Sequence, residues 1–132
     1  MKNIPERFQD LFADETKAFL FLATTMSDGS PQVTPVWFNT DGEHILINSA
    51  KGRTKDRNMR AHPRVAVAIA DPANPYRYIQ LRGEVVEITE VGGREHINAL
   101  SLKYRGEAVY SGSPEETRVT YKIRIGKAQT MG

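Results

Sequence analysis

Apolar side chains come in short runs separated by Asp-Gly, Asn and Pro punctuation, the rhythm of a β protein with brief helical interruptions. The first run, Ala18–Thr25, is apolar on both alternating faces. That pattern predicts a strand covered on both sides, by helices of its own chain or by a second chain. Ser27-Asp28-Gly29-Ser30 predicts a hairpin turn. In Pro31–Phe38, Val33 and the prolines alternate with Gln32, Thr34 and Val36. Two prolines confine such a strand to a sheet edge or a bulge, where unpaired backbone groups can face a flat heterocycle. Asn39–Gly42 predicts a second turn, and His44–Asn48 a third strand. Arg64–Ala70 predicts a fourth, and Asp71–Pro75 a rigid loop by its prolines and asparagine. Tyr78–Thr89 is a long strand with Gly83 at a bend, and Val119–Ile125 alternates as a last strand. Lys127–Gly132 carries no pattern.

Three stretches have helical spacing. Pro5–Phe12 places Phe8, Leu11 and Phe12 on one face, Thr54–Ala61 makes about two turns, and Gly92–Tyr104 aligns Ile97, Leu100 and Tyr104 before Gly106 stops it. Only Gly92–Tyr104 is long enough for a crossover. The sum, about six strands with short helical connections, predicts a mainly β chain: a six-stranded antiparallel barrel forming one domain over residues 1–132, not a doubly wound sheet.

Ser49–Arg60 holds the most specific chemistry. Strand, glycine-containing basic loop and helix start follow in order. Backbone N–H groups and the helix dipole there favour an anion. Arg53 adds a planar fork; Lys51 and Lys55 add point charges. A solvated helix start is the plain alternative.

Composition narrows the possibilities. A net charge of +2 gives no global field toward nucleic acid, and the aromatics fall mostly in predicted core strands, so no nucleic-acid partner is expected. With no cysteine there is no thiolate nucleophile, disulfide or cysteine metal site. His44, His62 and His96 lack metal-ligand spacing and read as structural or surface residues, so no metal is expected. Glu115-Glu116, and Glu6 with Asp10, read as solvated charges, and Trp37 as a core or interface anchor. The polar N-terminus lacks a signal-peptide core, and Ala18–Ala23 is too short to span a bilayer. The expectation is a cytoplasmic protein without integral membrane association.

The ordered set of segments resembles the pyridoxamine 5'-phosphate oxidase-like superfamily of FMN- and F420-binding split barrels, most closely its short F420-dependent branch. Leu20–Thr25, Asp28–Trp37, Lys51–Arg60 and Pro63–Val67 carry the likeness. It implies a homodimer of six-stranded split barrels with cofactor sites at the subunit interface. It implies that Arg53 and Lys55 hold the cofactor phosphate, with Lys51, Gly52, Thr54 and Asn58 near it. Gln32, Val33, Thr34, Pro35 and Val36 would line the ring, Ile47, Asn48 and Ser49 the same groove. Tyr76 and Tyr78 would approach from the second subunit; either tyrosine, or bulk water, is a possible proton donor. The implied cofactor is coenzyme F420, whose acidic tail Lys51, Arg57 and Arg60 would meet; FMN is the alternative. The chain stops at Met131-Gly132, short of the C-terminal segment of true pyridoxamine-phosphate oxidases, which argues against that substrate.

Hydride transfer needs neither nucleophile nor metal from the protein, only position and electrostatics. The expected function is therefore an F420-dependent reductase acting on a small conjugated acceptor such as a quinone, an enone or a tetrapyrrole. The alternatives are an FMN-dependent enzyme of the same fold and a non-catalytic protein that binds the cofactor or a tetrapyrrole.

Overall fold

The computed structural model describes residues 1–132. Seven strands form one antiparallel sheet in the order β2-β1-β5-β6-β7-β4-β3. They are β1 Leu20–Thr25, β2 Pro31–Val36, β3 Asn39–Thr40, β4 His44–Ala50, β5 Arg64–Asp71, β6 Asn74–Thr89 and β7 Arg118–Met131. The sheet curls without pairing its outer strands, which makes the barrel split. The extra strand relative to the expected six is the two-residue β3, which pairs Asn39 with Leu46 and Thr40 with Ile45. The expected turn thus shrinks toward Asp41-Gly42-Glu43, where Asp41 accepts the N–H groups of Glu43 and His44.

Alternation places one set of side chains inside. Leu20, Leu22, Ile45, Ile47, Val65, Val67, Ile69, Ile79, Leu81, Val119, Tyr121 and Ile123 join a core of 22 buried residues. The N-terminal segment adds Phe8, Leu11 and Phe12 to it, as its spacing predicts, although Glu6–Phe12 winds as a 3₁₀ helix. Arg77 holds that helix: its guanidinium donates to Asp10 at 2.6 Å and lies 5.0 Å from the Phe8 ring.

Two connections differ from expectation. Asp71–Pro75 is a tight turn, because Asn74 and Pro75 already belong to β6 and Asp71 pairs with Asn74. Lys127–Met131 continues β7, pairing Ala128 with Leu81 and Met131 with Tyr78. Gly83 sits at a register shift in β6, where an added Cβ would lie 2.8 Å from Ile123 Cγ2 and 2.9 Å from Arg124 O. α1 (Thr54–Ala61) follows β4, and α2 (Gly93–Arg105) packs on β7 and β4. β4 is therefore covered on both faces.

β1 buries Leu20 and Leu22, but Phe19 and Phe21 remain 48% and 44% exposed in the single chain. Beside them on edge strand β2, Val33 is 65% exposed. No helix is long and apolar enough to cross a membrane.

Candidate functional site

A glycine and a buried carboxylate build the turn from β4 into α1. Gly52 has φ +91°, a region that other residues enter only at a cost. Asp56, 2% exposed, accepts the Gly52 N–H at 2.9 Å, the Arg60 Nε–H at 2.9 Å and the Tyr121 hydroxyl at 2.5 Å. Burial pushes the Asp56 carboxyl up, but these hydrogen bonds outweigh it and hold the group below its ordinary value. Burial and the bond to Asp56 together push the Tyr121 hydroxyl far up. Asp56 had no assigned role in the sequence. Its only linear signal is an acid in the first helical turn, four residues after the glycine.

The N–H groups of Lys51, Gly52 and Arg53 are consumed within the chain, by Thr117 O, Asp56 and Ala50 O. The free donors lie one turn later. No acceptor of the chain takes the N–H of Thr54, Lys55 or Asp56, the usual orphans of a helix start. The amides left open to an acceptor thus belong to α1 and not to the loop before it.

Most of the cations are already paired. Lys51 Nζ donates to Glu90 at 2.9 Å, Arg60 to Asp56, and Arg57 to the Gly52 carbonyl. The cations expected to meet an acidic tail are exposed but already have acceptors within the chain. Arg53 donates to Glu116 Oε2 at 2.7 Å. Lys55 alone of this stretch has no acceptor in the chain. It is half-buried; burial, then the positive charges of Arg53 and Arg118, lower its pKa.

Arg118 and Glu116 complete the cluster. Arg118 is 6% exposed at the start of β7, opposite Ala50 in register. It donates to Asn48 Oδ1 at 2.9 Å and Glu116 Oε1 at 3.3 Å, with its guanidinium 5.1 Å from the Tyr110 ring. Glu116 is not the solvated charge that its sequence context suggests: its carboxylate bridges Arg53 and Arg118. Strand pairing, invisible in the linear sequence, brings these residues to the loop.

The residues expected to line a groove with the loop lie inside. Ile47 is fully buried in the core, and Ser49, 2% exposed on the same strand face, has an unpartnered hydroxyl. Asn48 donates to Gly93 O at 2.9 Å and faces His96 Nδ1 at 3.1 Å. His96 Nε2 meets Asn39 Oδ1 at 2.8 Å, and Thr120 Oγ1 meets Nδ1 at 3.1 Å. Burial, then the charge of Arg118, lowers the His96 pKa to about 4. The imidazole is neutral, and its partners assign the proton to Nε2. Asn58, 6% exposed, donates to Thr24 Oγ1 at 3.0 Å and to Met26 Sδ at 3.3 Å, tying α1 to β1. These positions support the loop; coverage of β4 on both faces keeps Ile47, Asn48 and Ser49 from any open surface.

On β2 the alternation splits the expected ring-lining set. Gln32, Thr34 and Val36 turn away from solvent, with Gln32 Oε1 accepting from Thr24 Oγ1 at 3.3 Å, while Val33 and Pro35 are exposed. Tyr76 is 82% exposed and Tyr78 half-buried on β6. β1 and β5 separate them from β2, so within one chain the tyrosines do not meet Val33 or Pro35. A recess of about 560 Å³ lies on the outer sheet face, floored by Ala23, Ala66 and Gly83 and rimmed by Arg64, Arg82 and Arg124. It does not reach Arg53 or Lys55. Trp37 stacks on Tyr104 of α2 at 5.3 Å and meets Tyr110 edge-on at 6.1 Å, an anchor between the end of β2 and α2. No group of three or more His, Asp or Glu is placed to hold a metal ion.

A split antiparallel barrel with a phosphate-compatible cation cluster at a helix start defines a class, and comparison with known proteins gives it a family. The sequence matches the family described as Pyridoxamine 5'-phosphate oxidase over residues 4–132, and the chain belongs to that family. A solved structure described as an F420 reductase is 33% identical, with a TM-score of 0.85 over 96% of this chain and 98% of that one. The conserved hypothetical protein Rv2991 of Mycobacterium tuberculosis is 21% identical, with a TM-score of 0.68 over 99% of this chain and 88% of that one. HupZ of Group A Streptococcus is 16% identical, with a TM-score of 0.69 over 96% and 93%. The last two share the fold. No curated relative matches the sequence.

Proposed function

We propose that the protein is an F420-dependent oxidoreductase, working as a homodimer, that reduces a conjugated organic acceptor such as a quinone, an enone or a tetrapyrrole. The observation that carries the reading is Lys55: a half-buried ammonium without a counter-ion, beside Arg53 and Arg118, at a helix start with three free N–H groups. Donors of this kind fit a phosphate ester. The likeness to an F420 reductase at 33% identity supports the deazaflavin over FMN, which offers the same phosphate chemistry.

When bound, the cofactor supplies the hydride. Arg53, Lys55 and the first-turn amides would hold its phosphate, with Arg118 behind them. Val33, Pro35 and the free backbone edge of β2 would face the ring. The outer face bearing Phe21, Val33 and the 560 Å³ recess is the proposed seat of the second subunit. The partner's copies of the β6 tyrosines would close the slot, with Tyr76 and Tyr78 as candidate proton donors.

The test is to incubate purified protein with reduced F420 and a panel of quinone, enone and tetrapyrrole acceptors, following deazaflavin absorbance. Oxidation above the uncatalysed rate is expected. Tight binding without turnover of any acceptor would favour a carrier role instead.

A further inference from the structure

We infer that Glu116 is an internal counter-anion occupying the position a ligand's phosphate would take, so that loading requires its displacement and its charge sets the affinity of the site. This rests on the phosphate-site reading of Arg53 and Lys55. The carboxylate divides its two oxygens between two cations: Oε2 accepts from Arg53 at 2.7 Å and Oε1 from Arg118 at 3.3 Å. This is how one ligand oxyanion would bridge the same pair. Two of three neighbouring cations meet one carboxylate here, and Lys55 is the one left over. A phosphate ester would engage all three, because its oxygens are more numerous and spread in three dimensions.

The segment carrying Glu116 is held without this side chain. Arg94 Nη2 donates to Glu116 O at 2.7 Å, the Glu116 N–H donates to Ser113 O at 3.3 Å, and the Lys51 N–H donates to Thr117 O at 2.9 Å. The backbone is therefore anchored without the carboxylate, and the way out is on the Arg53 side: the Glu116 side chain is 22% exposed and that of Arg53 52% exposed. An anion arriving from solvent meets Arg53 first and inherits it as Glu116 leaves. The carboxylate also selects. A weak monoanion must beat a contact of its own kind to enter, so ordinary carboxylates and chloride are rejected in favour of phosphate esters.

Glu116→Gln keeps the size and one acceptor oxygen, replaces the other oxygen by an amide donor, and removes the competing charge. The Kd values of F420 and FMN for the wild type, Glu116→Gln and Arg53→Ala are measured by fluorescence titration, with acetate as a competing monoanion. Circular dichroism and the melting temperature confirm folding. Glu116→Gln is expected to tighten cofactor binding about tenfold and to make it sensitive to acetate, whereas Arg53→Ala weakens it. An unchanged or weaker Kd for Glu116→Gln, with Arg53→Ala still weakened, overturns the inference and leaves the phosphate site standing. A Glu116→Gln protein that fails to fold also overturns it, since the carboxylate would then be a structural brace. If neither cofactor binds the wild type, or Arg53→Ala binds as the wild type does, the phosphate site itself fails and the inference with it.

Discussion

Lys55 and His96 are both drawn below their ordinary pKa by burial and by the nearby charge of Arg118, with opposite consequences. Lys55 keeps its charge and lacks an anion. Lys55→Ala and Arg53→Ala should each weaken cofactor binding by a charge-assisted contact, about 1.5–3 kcal/mol or roughly ten- to a hundredfold in Kd, read by fluorescence titration. His96 is neutral because Asn39, Asn48 and Thr120 satisfy the imidazole and not the imidazolium. Its folded pKa, about 4, lies below its ordinary 6.5. Its contribution to stability is therefore fully present above pH 6.5 and is lost as pH falls toward 4, about 3 kcal/mol in all. Denaturant unfolding between pH 4 and 7 should show that slope in the wild type and a flatter one in His96→Gln; equal slopes would remove His96 as the cause. Arg53 and Lys55 are legible in the linear sequence because the strand–glycine–helix order announces them. Asp56, Glu116 and Arg118 are not, because they join the loop through folding: one by burial under Tyr121, two through β4–β7 pairing.

Glycines decide how closely the elements approach. Gly93 opens α2 against β7, where an added Cβ would stand 2.1 Å from Arg118 O. Gly93→Ala must lift the helix off the sheet, and should cost about 3 kcal/mol in denaturant unfolding. Gly83→Ala meets the Ile123 methyl at 2.8 Å and the Arg124 carbonyl at 2.9 Å across the β6 bulge, and should cost about 1–3 kcal/mol. Either variant unfolding like the wild type would show that the packing gives way more easily than the geometry implies. The bulge at Gly83 was readable, since a glycine within an apolar alternation has few other uses. The extension of β7 over Lys127–Met131 was not: exposed Lys127, Gln129 and Thr130 leave too few apolar positions to show a period, and backbone pairing with Tyr78–Leu81 holds it instead. Pro72, Asn74 and Pro75 suggested a longer loop than forms, because proline is tolerated where an exposed strand begins.

In the whole molecule, the outer sheet face and the cation cluster belong to one proposal. The doubly apolar pattern of Ala18–Thr25 signals a covered strand, and the chain by itself leaves Phe19 and Phe21 half exposed. A second copy seated there would bury them and build the slot that a single chain lacks between its loop, β2 and the β6 tyrosines. Val33→Glu should then turn a dimer into a monomer in analytical ultracentrifugation and weaken cofactor binding at the same time; a wild-type monomer would contradict the shared site. The barrel was legible from its turns and alternation, whereas of a slot between two chains only the covered strand would leave a trace in one. The central claim is tested most directly by titrating the protein as purified with F420 and with FMN under identical conditions. A colourless preparation that binds F420 more tightly than FMN is expected. A yellow, flavin-loaded preparation, or a protein that binds neither, would contradict it.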